Sequence, residues 1–257
     1  MTDKDKKTRQ SQLILRLEAN RFVSLDEIAS TFSVTTQTAR RDLMDLEGQG
    51  LVRRLHGGAM LATPPFDLPT YRRRRVESAE GKRRIGNRIA ELLADGSSAF
   101  LDTGTTCESI ARALTVRRDL RIVTYSLRAA TMLSEVESFT VAVPGGFVRH
   151  GDAGVFRHDV VQFISAFKFD TAIISVSGID EQGDMGDDDH GEVQAVRAAM
   201  RQAHRVILAV DGSKFGKRAL VRLGSVAEEI DVMVTDVPPP PALVELLSAS
   251  QVETQLV

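Results

Sequence analysis

The sequence predicts an α/β protein in two parts, a small N-terminal winged helix-turn-helix and a larger α/β domain with a mostly parallel sheet. Three observations carry that expectation. Residues 1–59 hold three helix-period segments and a glycine hairpin. Residues 60–80 break the pattern with "TPPFDLP", which continues neither a helix nor a central strand. From residue 81 onward, short apolar strands alternate with amphipathic helices, the pattern of a parallel sheet covered on both faces.

In "SQLILRLEAN", Leu13, Ile14 and Leu17 share one helical face. "SLDEIASTF" opens with a capping box, Ser24 with Glu27 three residues on, and spaces Leu25, Ile28, Ala29 and Phe32 helically. After the short turn "SV", Thr35 caps a third helix running towards Gly48 or Gly50. "GLVRRLHGGAM" reads as strand, glycine turn and return strand. Three helices, a brief turn between the second and third, and a hairpin make a winged helix-turn-helix. Residues 60–80 read as a linker. Its basic run, Tyr71 to Arg75, is a solvated face or a phosphate-contacting flank.

The larger part predicts strands at "SAFLD", "LRIVTYS", "FTVAVPGG", "FDTAIISVSGI", "HRVILAV" and "IDVMVTD", with "VETQLV" as an edge. Helices fall at "KRRIGNRIAELL", "TTCESIARAL", "LRAATMLSEV", "HDVVQFISAF", "EVQAVRAAMRQA" and "PALVELLSA". No internal repeat is visible.

Charge is nearly balanced, with 33 Lys and Arg against 35 Asp and Glu. That excludes a bulk polyanion binder, so any nucleic-acid contact has to be local. Residues 1–59 carry ten Lys and Arg against eight Asp and Glu, a local net of +2. One cysteine, Cys107, excludes an internal disulfide and fits a reducing compartment. The polar start "MTDKDKKTRQSQ" is not a signal peptide, and no segment approaches the roughly 20 apolar residues of a membrane helix. A soluble cytoplasmic protein is expected.

The third helix carries the first candidate site. Ala39, Leu43 and Leu46 make its buried stripe. At about 100° per residue, Gln37, Arg41 and Met44 fall opposite and Arg40 falls on the flank. The N-terminal end of such a helix meets base edges, where Gln pairs with adenine and Arg with guanine. Thr36, Thr38 and Arg40 suit phosphates, as does the positive helix end. An ordinary amphipathic helix would instead pair its arginines with Asp42, Asp45 or Glu47. Cap, polar N-terminus and wing together favour DNA.

The second candidate site lies on loops. "LDTGTTCESIARAL" sets Asp102, Gly104, Thr105 and Thr106 where a strand ends and a helix starts. Backbone N–H groups and hydroxyls there suit a phosphate, although plain helix capping explains them equally well. "VTYS" with Thr124, "VPGG" with Gly145 and Gly146, and "VDGSKFG" with Lys214 also follow strands. Ligands of parallel α/β sheets sit beyond the carboxyl ends of strands, so these loops make one pocket. Lys214 is the cation for a ligand phosphate. Cys107, in the first helical turn, reads as a packing residue ahead of a reactive thiol. No triad, zinc spacing or Walker string is present, so no catalytic residue, metal or cofactor is assigned.

The stretch "LDEIASTFSVTTQTARRDLMDLEGQGLVRRLHGGA" resembles the N-terminal signature of the DeoR family of bacterial transcription regulators, through RRDL and the wing ending in HGGA. The resemblance implies that Arg53, Arg54 and His56 lie along phosphates or the minor groove, with Gly57 and Gly58 in the turn. The D-x-G-T-T, V-T-Y-S, GG and D-x-S-K-F-G strings resemble the family's C-terminal sensor domain, whose fold is similar to ribose-5-phosphate isomerase. By that likeness Asp102, Gly104, Thr105, Thr106, Thr124, Gly145, Gly146, Glu192 and Lys214 bind an effector. The implied protein has a DNA-binding domain at 1–59, a linker at 60–80 and a sensor domain at 81–257. It would be a homodimer or homotetramer that represses carbohydrate-catabolic genes. A phosphorylated sugar or related metabolite would release it from operator DNA, without a membrane partner.

Two departures from the family pattern stand out. Tyr125 replaces the usual Asn, which makes that side of the pocket bulkier or less polar. The segment with Asp184, Asp187 to Asp189 and His190 is acidic where family members tend to be apolar. It reads as a solvated loop ahead of a hard-cation site, and its charge disfavours a highly anionic effector. The competing reading is a sugar-phosphate isomerase-like enzyme carrying a DNA module, with Asp102, Glu192 and Lys214 moving protons.

Overall fold

The computed structural model describes residues 3–20, 22–48, 51–55, 57–61, 68–156 and 160–257. The chain divides into two compact units, Met1–Asp67 and Leu68–Val257.

The first unit contains α1 (Asp3–Asn20), β1 (Phe22–Ser24), α2 (Leu25–Thr31), α3 (Thr36–Gly48), β2 (Val52–Leu55) and β3 (Gly58–Leu61). Its core joins Leu13 and Leu17 of α1, Ile28 of α2, and Ala39, Leu43 and Leu46 of α3. Ser24 caps α2 by accepting the Glu27 N–H at 3.2 Å. Thr35 caps α3 by accepting the Thr38 N–H at 3.2 Å. The strands pair antiparallel in the order β1-β3-β2. The three-residue β1 carries no readable alternation, and its pairing with β3 is a tertiary outcome. Gly57 turns the hairpin at φ +86°, a conformation that suits glycine, while Gly58 is already in strand β3.

The second unit runs α4 (Leu68–Val76), α5 (Ala79–Leu92), β4 (Ser98–Leu101), α6 (Thr105–Leu114), β5 (Arg121–Thr124), α7 (Leu127–Ser134), β6 (Thr140–Ala142), β7 (Phe147–Val148) and β8 (Val155–Phe156). There follow α8 (Val160–Ser165), β9 (Phe169–Ile174), β10 (Gly178–Ile179), β11 (Asp184–Asp187), α9 (His190–Gln202) and β12 (Ala203–Val210). The chain closes with β13 (Val221–Ser225), α10 (Val226–Glu229), β14 (Val232–Thr235), α11 (Pro241–Ala249) and β15 (Glu253–Leu256).

Seven strands form the central sheet in the order β15-β14-β12-β9-β4-β5-β6. Every neighbouring pair is parallel. Its strands alternate between two cores: Val206, Leu208 and Val210 pack on one face, Ile207 and Ala209 on the other. Ile85, Ile110 and Leu133 of α5, α6 and α7 cover the second face, and Val160, Val196 and Leu247 of α8, α9 and α11 the first. Chain order reverses beside β4. The strands β5 and β6 extend one way, and β9, β12, β14 and β15 the other. The crevice beyond the carboxyl ends of β4 and β9 is therefore the switch point, where ligands of such sheets sit.

The stretch read as linker differs from that expectation. Residues 68–76 form α4, and Tyr71 is buried at 2% exposure. A proline is tolerated in the first helical turn, and "TYRRRRV" beyond it has no breaker. The hairpin β7-β8 and the antiparallel sheet β10-β11-β13 were not readable, because their strands are two to five residues long.

Candidate functional site

The face of α3 opposite its buried stripe stands exposed. Gln37, Arg40, Arg41 and Met44 are exposed, as is Thr36. Neither Arg40 nor Arg41 has an ion pair among the described residues. The acids that competed for them are engaged elsewhere. Asp42, buried under α3, takes two bonds from Arg9 of α1, at 2.6 and 3.1 Å. Asp45 pairs with Lys6 at 2.5 Å, and Glu47 pairs with Arg54 at 2.6 Å. Thr38 is half-buried, and its hydroxyl lies 3.0 Å from that of Thr35, so it serves the cap.

The wing separates its two arginines. Val52 is buried, and strand alternation sends Arg54 to the same face and Arg53 to the other. Arg54 also donates its backbone N–H to Glu47 Oε1 at 3.1 Å. It braces the wing against α3, whereas Arg53 is exposed with no ion pair among the described residues. His56 lies outside the described residues.

At the carboxyl edge of the central sheet, Asp102 follows β4 and is buried at 4% exposure. Its Oδ1 accepts the Thr103 N–H at 2.7 Å and the Tyr125 hydroxyl. Its Oδ2 accepts the Ser175 N–H at 3.0 Å. One carboxylate thus joins the ends of β4, β5 and β9. Burial pushes its pKa up to about 7, against the pull of those donors. Tyr125 is no passive bulk. It fills the core beside Phe100 and supplies one of those bonds.

The loop that follows leaves polar groups of α6 and Thr103 without protein partners among the described residues. Gly104, at φ +109°, stands at the N-cap of α6 and offers no side-chain acceptor to the first helical N–H groups. The Thr103 hydroxyl, in a residue 7% exposed, has no hydrogen-bond partner among the described residues. Thr105 is half-buried and Thr106 buried. Thr124 is fully buried, and its hydroxyl accepts the Ser126 N–H at 3.0 Å, which makes it a turn former. Gly145 and Gly146 are exposed beyond β6.

Glu192, in the first turn of α9, is buried and pairs with Arg149. Arg149 also holds Asp152 and, at 3.2 Å, Asp189. Burial and the neighbouring Asp187 push the Glu192 carboxyl up, and Arg149 works against that rise. Burial opposes the Arg149 charge too, yet Asp152 and Glu192 hold its pKa above the ordinary value. Arg149 lay in the stretch read as irregular, and its spacing of three from Asp152 was the only sequence signal.

Lys214 lies beyond β12 in a single 3₁₀ turn, Gly212–Lys214, capped by Asp211. Burial lowers its pKa, Asp211 and Asp187 oppose that, and Arg74 and Lys82 reinforce it. Sequence reasoning placed neither of these last cations at the site: Arg74 lay in the stretch taken for linker, and Lys82 read as one of several charges on a helix. The acidic segment resolves into separate roles. Asp184 pairs with Arg222 at 2.7 Å, Asp189 caps α9, and half-buried Asp187 accepts from Ser177 at 3.1 Å. Cys107 is buried, and burial pushes its thiol well up, consistent with packing.

Known proteins match both units. The description "DeoR-like helix-turn-helix domain" fits residues 9–64, and "DeoR C terminal sensor domain" fits residues 77–237. The glycerol-3-phosphate regulon repressor of Escherichia coli K12 is 38% identical over 96% of this chain and 98% of its own. The HTH-type transcriptional repressor CsqR of the same organism is 36% identical, over 95% and 93%. The HTH-type transcriptional repressor GlcR of Bacillus subtilis 168 is 32% identical, over 92% and 91%. Among solved structures, ribose 5-phosphate isomerase A of Neisseria gonorrhoeae aligns with 53% of each chain at TM-score 0.40 and 14% identity. A likeness that distant carries no functional weight, while relatives matched along nearly their whole length are repressors, so the enzyme reading gives way. The chain belongs to the DeoR family, a transcriptional repressor with an N-terminal DNA-binding helix-turn-helix and a C-terminal sensor domain.

Proposed function

We propose that the protein represses carbohydrate-catabolic genes and leaves its operator when a phosphorylated sugar or related metabolite binds beyond β4 and β9. One observation supports this reading above the others. At the switch point, the uncapped N-terminus of α6 and the unpartnered Thr103 hydroxyl stand in one loop. Such a helix end takes an anion, and Lys214 adds a cation. Gly104, Thr105 and Thr106 supply the cradle, with Gly145 and Gly146 on its open side. Asp102 and Thr124 shape the cradle from behind, and Glu192, held by Arg149, accepts ligand hydroxyls. Glycerol 3-phosphate is the first candidate, because a 38% identical relative is the glycerol-3-phosphate regulon repressor.

On DNA, Gln37 and Arg41 read bases, Thr36 and Arg40 hold phosphates, and Arg53 lines the wing. The protein acts in the cytoplasm as a homodimer or homotetramer; no described helix is long and apolar enough to cross a membrane. The test is a thermal-shift panel of phosphorylated sugars on the parent and on Lys214→Ala. A ligand at 100 times its dissociation constant adds about 2.7 kcal/mol to the parent. A panel with no stabilising member, or one that stabilises both chains equally, would refute the site.

A further inference from the structure

The segment that leaves the DNA-binding unit enters the sensor unit as α4, and three buried groups pin it there. The Tyr71 hydroxyl donates to Glu108 of α6, under the Arg128 guanidinium, 5.0 Å from the ring centre. Lys82 of α5 is 3% exposed. Its ammonium donates to the Arg74 carbonyl at 2.6 Å and to the Glu77 carbonyl at 2.7 Å, the last turn of α4 and the residue after it. The same ammonium lies 3.7 Å from Asp211 Oδ2, an oxygen with no hydrogen bond among the described residues. Asp211 is fully buried and caps the turn that carries Lys214.

We propose that Lys82 is a positioning residue that couples the Lys214 turn to α4, so that an anion bound at that turn tightens α4 onto the sensor unit. This rests on the reading of the Lys214 loop as the anion site. Arg74 raises the cost of charge on Lys82 and on Lys214, Lys82 adds to it at Lys214, and Asp211 is the counter-charge that the two lysines share. A bound phosphate adds negative charge at Lys214. Asp211 is then released to Lys82, and Lys82 holds the α4 carbonyls more firmly. Lys82 touches no ligand in this scheme.

The experiment follows amide hydrogen exchange of residues 68–76 in the full chain, with and without inorganic phosphate, alongside thermal shift. In the parent, phosphate raises the melting temperature and slows exchange in α4. In Lys82→Met, phosphate still raises the melting temperature, and the slowing of α4 is lost. Asp211→Asn keeps the cap oxygen and removes the charge, so it gives the same uncoupling should Lys82→Met fail to fold. Phosphate-dependent slowing of α4 at parental size in both variants would overturn the coupling while leaving the anion site standing. No phosphate shift in the parent would overturn the site reading and the coupling with it.

Discussion

Arg9 grips the Asp42 carboxylate with two bonds, at 2.6 and 3.1 Å, and so ties α1 to the underside of α3. The pair is buried, with side chains 8% and 3% exposed. Removing one partner leaves the other charged and stranded, which costs about 3–5 kcal/mol. Asp42→Ala should unfold the N-terminal unit at lower denaturant than the parent and leave the sensor unit's transition in place. A single unchanged transition would mean that the pair does not hold α3.

Arg41 stands one turn beyond Gln37 on the exposed face of α3. Arg41→Ala should relax base preference at one operator position, at a cost of about 1–3 kcal/mol. Selection from random DNA, compared between parent and variant, reads this out. Identical logos would remove Arg41 from base reading.

The two wing arginines should behave differently although they are adjacent. Arg53→Ala should remove a phosphate contact and lower the slope of log affinity against log salt by about 1. Arg54 is already held by Glu47. Arg54→Ala should weaken binding through the wing's position and leave the slope as it was. A lower slope for Arg54→Ala would show that it leaves Glu47 to meet DNA.

Asp102 gives a pH dependence of definite sign. Its pKa stands at about 7 in the folded chain, above the ordinary carboxylate value of 3.8. Between those values the folded state holds a proton that the unfolded state has lost, so this group's contribution to stability falls as pH rises through the window. The slope is at most about 1.4 kcal/mol per pH unit. Asp102→Asn carries a fixed packing cost but no titration. The stability deficit of the variant should therefore shrink from pH 4 to 7, as measured by denaturant midpoints. A constant deficit would contradict the assignment.

Regular periodicity made most of the fold legible. The stripe of Ala39, Leu43 and Leu46 located α3 and its exposed face, and the apolar run in "HRVILAV" located β12. The strand-end loops were readable because Gly104 and the threonines punctuate them. What escaped notice is tertiary. Asp42 looked like a partner for Arg40 or Arg41 until α1 brought Arg9 beneath it. Arg54 looked like Arg53 until strand alternation turned it towards Glu47. Lys82 looked like one of several helix charges, and only the packing of α5 against α4 and β12 buries it. Asp102 read as a ligand contact, and its oxygens turn out to be taken up in joining three strands.

The central claim is that a sensor loop around Lys214 controls the DNA-reading face. It is tested most directly by titrating operator DNA, selected from random sequence, in the presence of phosphorylated sugars that include glycerol 3-phosphate. At least one of them should weaken the parent's operator affinity, by the 5–150-fold typical of coupled sites. Lys214→Ala should bind the same operator as tightly as the parent and ignore every sugar phosphate. An operator affinity that no phosphorylated sugar moves in the parent, or a Lys214→Ala protein that still lets go of DNA at the parent's effector concentration, would contradict the account.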